Sequence, residues 1–221
     1  MNDLRNWYLY FRAIPKTVFF NFKYFDFCQA VKFPVIISHR VWLKKTKGRV
    51  ELKGQVKPFM IKIGFGGVGI FDECRSRSIW EVSGEVTLNG RATIGHGSKI
   101  CVTGKLYLGR NFAITAESTI VCFKRVVFGD DCLVSWDSLI MDTDFHGVTS
   151  IDGRPLNEDD EIIIGKKVWI GCRCLILKGS IVGDNSVIAA GTLLCKKVDG
   201  KNVIIGGIPG VILKKEISWE I

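Results

Sequence analysis

Leu88-Asn-Gly-Arg-Ala92-Thr-Ile94-Gly95-His96-Gly-Ser98-Lys-Ile100-Cys-Val-Thr-Gly104 is the stretch that decides the fold. An apolar residue returns every six positions (Leu88, Ile94, Ile100), and a small residue stands four places after each. Two extra residues follow, and the cycle restarts at Leu108, Ile114 and Ile120, then at Phe128, Val134 and Ile140, a period of twenty. A looser copy precedes it at Val68, Cys74 and Trp80. After an interruption the hexads resume without the extra pair at Ile164, Ile170, Ile176, Val182, Ile188 and Leu194, a period of eighteen. Periodicity of this kind marks a stacked repeat architecture. Gly follows the apolar residue at Gly95, Gly109, Gly129, Gly165, Gly171 and Gly183. That suits a short strand ending in a tight corner, where glycine accepts backbone angles other residues avoid. Three strands then close a triangular coil, and coils stack in parallel with the apolar residue on the axis. An amphipathic helix would need spacings of three and four, and a doubly wound fold would need helices between strands; neither fits.

The repeat stops between Ile140 and Ile164, giving an extended loop at about 142–163 that is polar, acidic and contains Gly and Pro. Insertions in a repeat fold project from one face, often the binding face. In Asp142-x-Asp144-x-His146 alternate residues of an extended chain point the same way, so both carboxylates and the imidazole are expected to converge. Histidine is the side chain able to abstract a proton near neutral pH. Of the other two, His39 lies in a basic segment and His96 within a regular rung, where it reads as a surface residue. From the residues alone, His146 is either a solvated loop histidine, a base, or with its aspartates a divalent-metal ligand.

Composition divides the chain near residue 60. Residues 1–62 hold 13 Lys/Arg against 3 Asp/Glu, and 13 of the 24 aromatics; the remainder is nearly neutral. The reading is therefore a basic aromatic appendage at 1–62, a repeat domain at 63–210 and a short tail at 211–221. Leu4, Trp7, Tyr8, Phe11 and Ile14 fall at helical spacing after an Asn2 or Asp3 cap and before Pro15, which describes a short amphipathic helix. The appendage serves either as a cap on the open end of the coil or as a contact with an anionic inner membrane leaflet. Nucleic acid is not expected, because no binding motif accompanies the charge. No apolar run reaches membrane-spanning length, and the start lacks a signal-peptide layout. The eight cysteines, scattered through apolar strands, read as reduced residues of a cytoplasmic protein; Cys172-x-Cys174 has no second pair or histidine to complete a zinc site.

Asp142-Thr-Asp-Phe-His146, Ile164-Gly-Lys-Lys-Val-Trp-Ile-Gly171, Ile188-Ala-Ala-Gly-Thr192 and Gly206-Gly-Ile-Pro-Gly210, taken in that order and spacing, resemble the hexapeptide-repeat acyltransferases. The likeness is to the polysaccharide, maltose and galactoside O-acetyltransferases. It implies an all-β, left-handed parallel β-helix with a partly helical N-terminal appendage. It further implies that His146 is the general base, with Asp142 and Asp144 on the acceptor side or orienting it. The oxygen of a saccharide hydroxyl would attack the acetyl-CoA thioester directly, without an acyl-enzyme. The family works as a homotrimer with active sites between subunits. By the resemblance, Trp169 and Cys172 border the pantetheine, Ala189 and Ala190 offer backbone contacts, and an N–H near Gly171–Cys172 meets the oxyanion. Lys196, Lys197, Lys214 and Lys215 carry the charge suited to the phosphates. No metal is implied.

This chain departs from the family pattern at Cys172, Cys195 and Val211, where relatives often carry Ser or Thr, Thr and Arg. Those differences touch the cofactor contacts and leave the base unaffected. The competing readings are an N-acyltransferase acting on an amino sugar and a non-catalytic β-helix scaffold. Serine acetyltransferase would need a longer helical N-terminal domain, and a γ-class carbonic anhydrase three metal-binding histidines.

Overall fold

The computed structural model describes residues 2–73 and 75–220, with side chains from Trp7 onward. From Val35 to Lys214 the chain winds into a triangular prism with three parallel faces. The first face holds nine strands, from Val35–Ile37 to Gly210–Lys214; the second holds seven, from Trp42–Thr46 to Leu193–Leu194; the third holds seven, from Arg49–Lys53 to Lys197–Val198. All neighbours run parallel except the last hairpin, Ile204–Gly207 with Gly210–Lys214. This is the left-handed β-helix.

Register follows the hexads. Ile63, Ile94, Ile114, Val134, Ile170, Ile188 and Ile205 stack on the first face. Leu52, Leu88, Leu108, Phe128, Ile164, Val182 and Val198 stack on the third. All are buried, forming one continuous axial core. Each coil adds one residue to each column, so inward positions repeat while outward ones vary freely.

The glycines that follow the inward residue have a different cause from the one their spacing suggests. Gly95, Gly109, Gly129, Gly165, Gly171 and Gly183 are not among the residues with positive φ. Their corners are instead too close to the next coil. A Cβ on Gly109 would lie 2.3 Å from the backbone of Gly129, and one on Gly95 1.9 Å from the carbonyl of Thr115. The left-handed residue comes two places later, at Gly97, Glu117, Asp137, Arg173 and Gly191 in one corner and at Asn111, Asp131, Lys167 and Asn185 in another. Asn and Asp tolerate that conformation better than most side chains.

The composition boundary near residue 60 does not coincide with the start of the coil. Strands at 35–37, 42–46 and 49–53 already stand in all three faces; Ile37 and Leu43 keep the six-residue spacing, but Leu52 follows only after nine. Of the looser copy, Trp80 faces inward, Val68 lies in a loop at 66–78, and Cys74 is outside the described residues. Within the expected tail, residues 211–214 complete the last hairpin, and Trp219 is buried.

Helix α1 (Asn2–Tyr24) is longer than expected and passes through Pro15; the side chain of Leu4 lies outside the described residues. Its inner face closes the edge of the first sheet. Asn21 donates to Val35 O (2.7 Å) and accepts from Val35 N (3.2 Å), while Thr17 Oγ1 accepts from Ile37 N (3.0 Å). The edge strand's polar groups are thereby matched rather than left open to another strand. Phe20 packs edge-on against Trp80 at 5.3 Å, and Trp80 Nε1 donates to the Tyr24 hydroxyl (3.1 Å), plugging the prism's end.

Candidate active site

The chain leaves the second face after Leu139–Met141 and returns at Ile162–Ile164, so the loop springs from the corner between the second and third faces. Asp142 opens it and is fully buried. Its carboxylate accepts from the N–H groups of Phe123 (2.6 Å), Lys124 (2.9 Å) and Arg125 (2.8 Å). It pins the corner of the preceding coil and does not converge with His146. The alternation argument fails because the chain turns: Phe145 N donates to Thr143 Oγ1 (3.1 Å), and Phe145 takes φ 60°.

Asp144 is exposed and held from two sides. Lys178 Nζ donates to it at 2.6 Å and Asn157 Nδ2 at 2.8 Å. The Lys178 ammonium, seconded by Asn157, holds the carboxyl below its ordinary range. Asn157 also donates to the His146 carbonyl (2.8 Å) and accepts from Val148 N (2.6 Å), while Lys178 reaches the Asn157 carbonyl (2.7 Å). These two residues, unmarked in the sequence, clasp the outgoing and returning arms of the loop. His146 is exposed, and its imidazole hydrogen-bonds to no described residue. It borders a cavity of about 350 Å³ with Phe123, Phe145, Val148 and Pro155, and Phe123 and Phe145 meet edge-on at 4.9 Å.

Trp169, Gly171, Cys172, Ala189 and Ala190 lie where the first face ends, at a different corner of the prism. Trp169 is 39% exposed, donates to Ser135 Oγ (3.0 Å) and lies 6.0 Å from Trp219, so one side is packed and the other open. The N–H groups of Gly171 and Ala189 are spent on the ladder, to Ile188 O and Ile205 O at 2.8 Å each. Those of Cys172 and Ala190 donate to no described group. Gly171 is itself required by stacking, since a Cβ there would come within 2.7 Å of Ala190 N. Lys196, Lys214 and Lys215 are exposed, and Lys197 pairs with Asp199 (2.7 Å).

His96 is not a surface residue. It is 2% exposed beneath the 66–78 loop, with Val68 N donating to its Nε2 (3.4 Å) and Phe71 6.3 Å away. Burial pushes the thiols of Cys122 and Cys132 up to about 12, far from nucleophilic. Among the described residues, no three His, Cys, Asp or Glu gather as a metal site.

Residues 161–196 match the model of the bacterial transferase hexapeptide (six repeats). The chain is 30% identical over 119 residues to the galactoside O-acetyltransferase of Escherichia coli K12, covering 50% of this chain and 54% of that one. It is 35% identical over 104 residues to the polysialic acid O-acetyltransferase of Neisseria meningitidis, 47% and 48% of the two chains. A 24.8 kDa protein of the cps region of Klebsiella pneumoniae is 31% identical over 147 residues, 66% and 62% of the chains. The chain thus spans about half to two thirds of the length of these relatives. In fold it superposes on the polySia specific acetyltransferase NeuO with a TM-score of 0.51 at 23% identity, over 82% of this chain and 78% of that one. The chain carries a hexapeptide-repeat segment within a β-helix and is similar in sequence to a galactoside O-acetyltransferase and a polysialic acid O-acetyltransferase.

Proposed function

We propose that the protein transfers an acetyl group from acetyl-CoA to a hydroxyl of a saccharide, with His146 as general base. The observation that carries this reading is the state of His146. Its imidazole is exposed, uncommitted to any described residue, and set beside a cavity by a loop that Asn157 and Lys178 brace. A base must keep a lone pair free for the proton it takes. The imidazole accepts the hydroxyl proton while the oxygen bonds to the thioester carbon; the C–S bond then breaks, and the departing thiolate regains a proton. The Cys172 N–H, free like that of Ala190, is the donor we assign to the oxyanion, and Gly171 is withdrawn from that role by its ladder bond. Phosphates of the cofactor would meet Lys196, Lys214 and Lys215, with Lys197 available if Asp199 yields.

The two halves of this machinery stand at different corners of one prism. From Cys172 to Lys178 is a full side of the triangle, about 20 Å of extended chain. That separation supports a homotrimer in which His146 of one subunit faces the Trp169–Ala190 corner of the next. The setting we infer is cytoplasmic; among the described residues no helix is long and apolar enough to cross a membrane. Thiol release from acetyl-CoA, with a panel of glycans and amino sugars, tests the reading. His146→Ala should lose about 10²–10⁴-fold in turnover with acetyl-CoA binding retained. Equal turnover in the variant would refute the base, and absence of CoA binding would favour a scaffold.

A further inference from the structure

Among the described side chains of helix α1, one face packs closely on the prism, with Lys16 Nζ reaching His39 O (2.6 Å) at its margin. Ala13, Thr17, Phe20, Asn21 and Tyr24 turn inward. A second stripe, Trp7, Phe11, Ile14, Val18 and Phe22, recurs at spacings of three and four, so it too shares one side of the helix. It is open to solvent: Trp7 is 75% and Phe11 72% exposed. The stripe continues onto the prism, where Phe59, 50% exposed, and Phe33 flank an apolar groove of about 570 Å³. Phe59 and Phe33 take φ of 52° and 46°, unfavourable for aromatic residues, and are tied together by Phe59 N donating to Phe33 O (3.0 Å). Soluble monomers rarely leave so large an apolar patch uncovered.

The charge near this patch is mostly positive. Lys62 lines the groove, and Lys23, Lys32 and Lys57 stand within two residues of Phe22, Phe33 and Phe59 in the chain; their ammonium groups meet no described partner, and Asp26 is the acidic residue nearest them in sequence. Further along the prism several charges are paired, as at Lys44–Glu81, Arg110–Asp130, Arg125–Glu161 and Lys178–Asp144, while Lys47, Arg49, Lys53 and Lys166 stand in no ion pair with a described residue. Among the described residues, every ion pair involves positions 44 and beyond. A second copy is a poor occupant, because a two-fold contact would set lysines against lysines. Aromatic side chains at the level of headgroups, with uncompensated lysines beside them, instead match an anionic bilayer surface.

We infer that the outer stripe of α1, with Phe59 and those lysines, docks the protein peripherally on an anionic lipid surface. Trp7, Phe11 and Phe59 enter the headgroup boundary, the four lysines meet lipid phosphates, and the prism stands away from the membrane by its N-terminal end. The docking is independent of the transfer chemistry. It is tested by flotation of the whole protein, at moderate salt, with vesicles of phosphatidylcholine alone or containing about 30% phosphatidylglycerol. Recovery should be at least about tenfold greater with the anionic vesicles. Two variants should lose it: Trp7→Ser/Phe11→Ser/Phe59→Ser, and Lys23→Gln/Lys32→Gln/Lys57→Gln/Lys62→Gln. Both should keep the wild-type thermal midpoint and turnover of soluble acceptors, so that failure to dock and failure to catalyse are read separately. Equal recovery from both vesicle types, or unchanged recovery of the variants, overturns the proposal. So does self-association in sedimentation velocity that the serine variant abolishes while vesicles recover nothing.

Discussion

Asp142 and His146, four residues apart, have opposite fates, and the difference lies in what each side chain touches. The Asp142 carboxylate is sealed from water and accepts three backbone N–H groups of one corner. Asp142→Asn replaces an acceptor-only group with one that must turn a donor toward those N–H groups. We expect a loss of about 2–4 kcal/mol, seen as a lower thermal midpoint, with KM for acetyl-CoA unchanged in the folded fraction. An unaltered midpoint would remove the pinning role. His146 should show the reverse: turnover lost, stability kept. The sequence flagged both residues together because alternation along an extended strand was assumed. The left-handed turn at Phe145 breaks that alternation, and a Phe at φ 60° is not a conformation its residue type announces.

At the scale of the element, the loop's place was legible and its bracing was not. An interrupted period needs no partner to be seen, so the excursion after Ile140 stood out. Asn157 and Lys178 reach Asp144 from 13 and 34 residues away, and no local pattern marks such contacts. The glycine columns were seen for the wrong reason: their spacing is local, whereas the neighbouring backbone that excludes a side chain is a coil away. The clasp has a pH signature. The Lys178 ammonium holds Asp144's carboxyl below the usual carboxylate range, so its contribution is complete above that range and is lost as pH falls through the folded pKa. Limited proteolysis across residues 147–156 should therefore stay slow above pH ~4 and quicken below it. Lys178→Met should quicken cleavage at neutral pH as well; the same cleavage rate as wild type would mean the clasp does not hold the loop.

For the whole molecule, stability depends on coils that can approach each other. Gly109→Ala places a Cβ 2.3 Å from the Gly129 backbone, and there is no flexible side-chain end to move aside. Parting two coils of a close-packed stack should cost about 3 kcal/mol or more, read as a lowered denaturation midpoint. Gly191→Ala offers a contrast, because open space surrounds that position and only its φ of 72° is strained. It should cost about 1 kcal/mol. Equal losses would mean that crowding is not what selects glycine at the first site. The prism itself was read correctly from the hexads because inward positions are the same in every coil. Its first coil was missed because Leu52 comes nine residues after Leu43 and Ile63 eleven after Leu52, so the hexad spacing is lost after Ile37 and Leu43.

The two periods differ at one place only. From Leu88 onward, the extra pair of each longer coil falls between Val102 and Leu106 and between Cys122 and Val126, at the same edge from which the histidine loop later springs. Chain length along this edge is free to vary, since its strands are already paired on either side. From Leu88 to Leu194 the other two edges keep six residues between successive inward positions, whereas before Leu88 eleven separate Leu52 from Ile63 and seventeen separate Ile63 from Trp80. The edge behaves as a socket: segments of different length can be exchanged at it without retuning the prism. If the proposed transfer chemistry holds, a different acceptor preference needs only a different loop, with the core that supports it untouched.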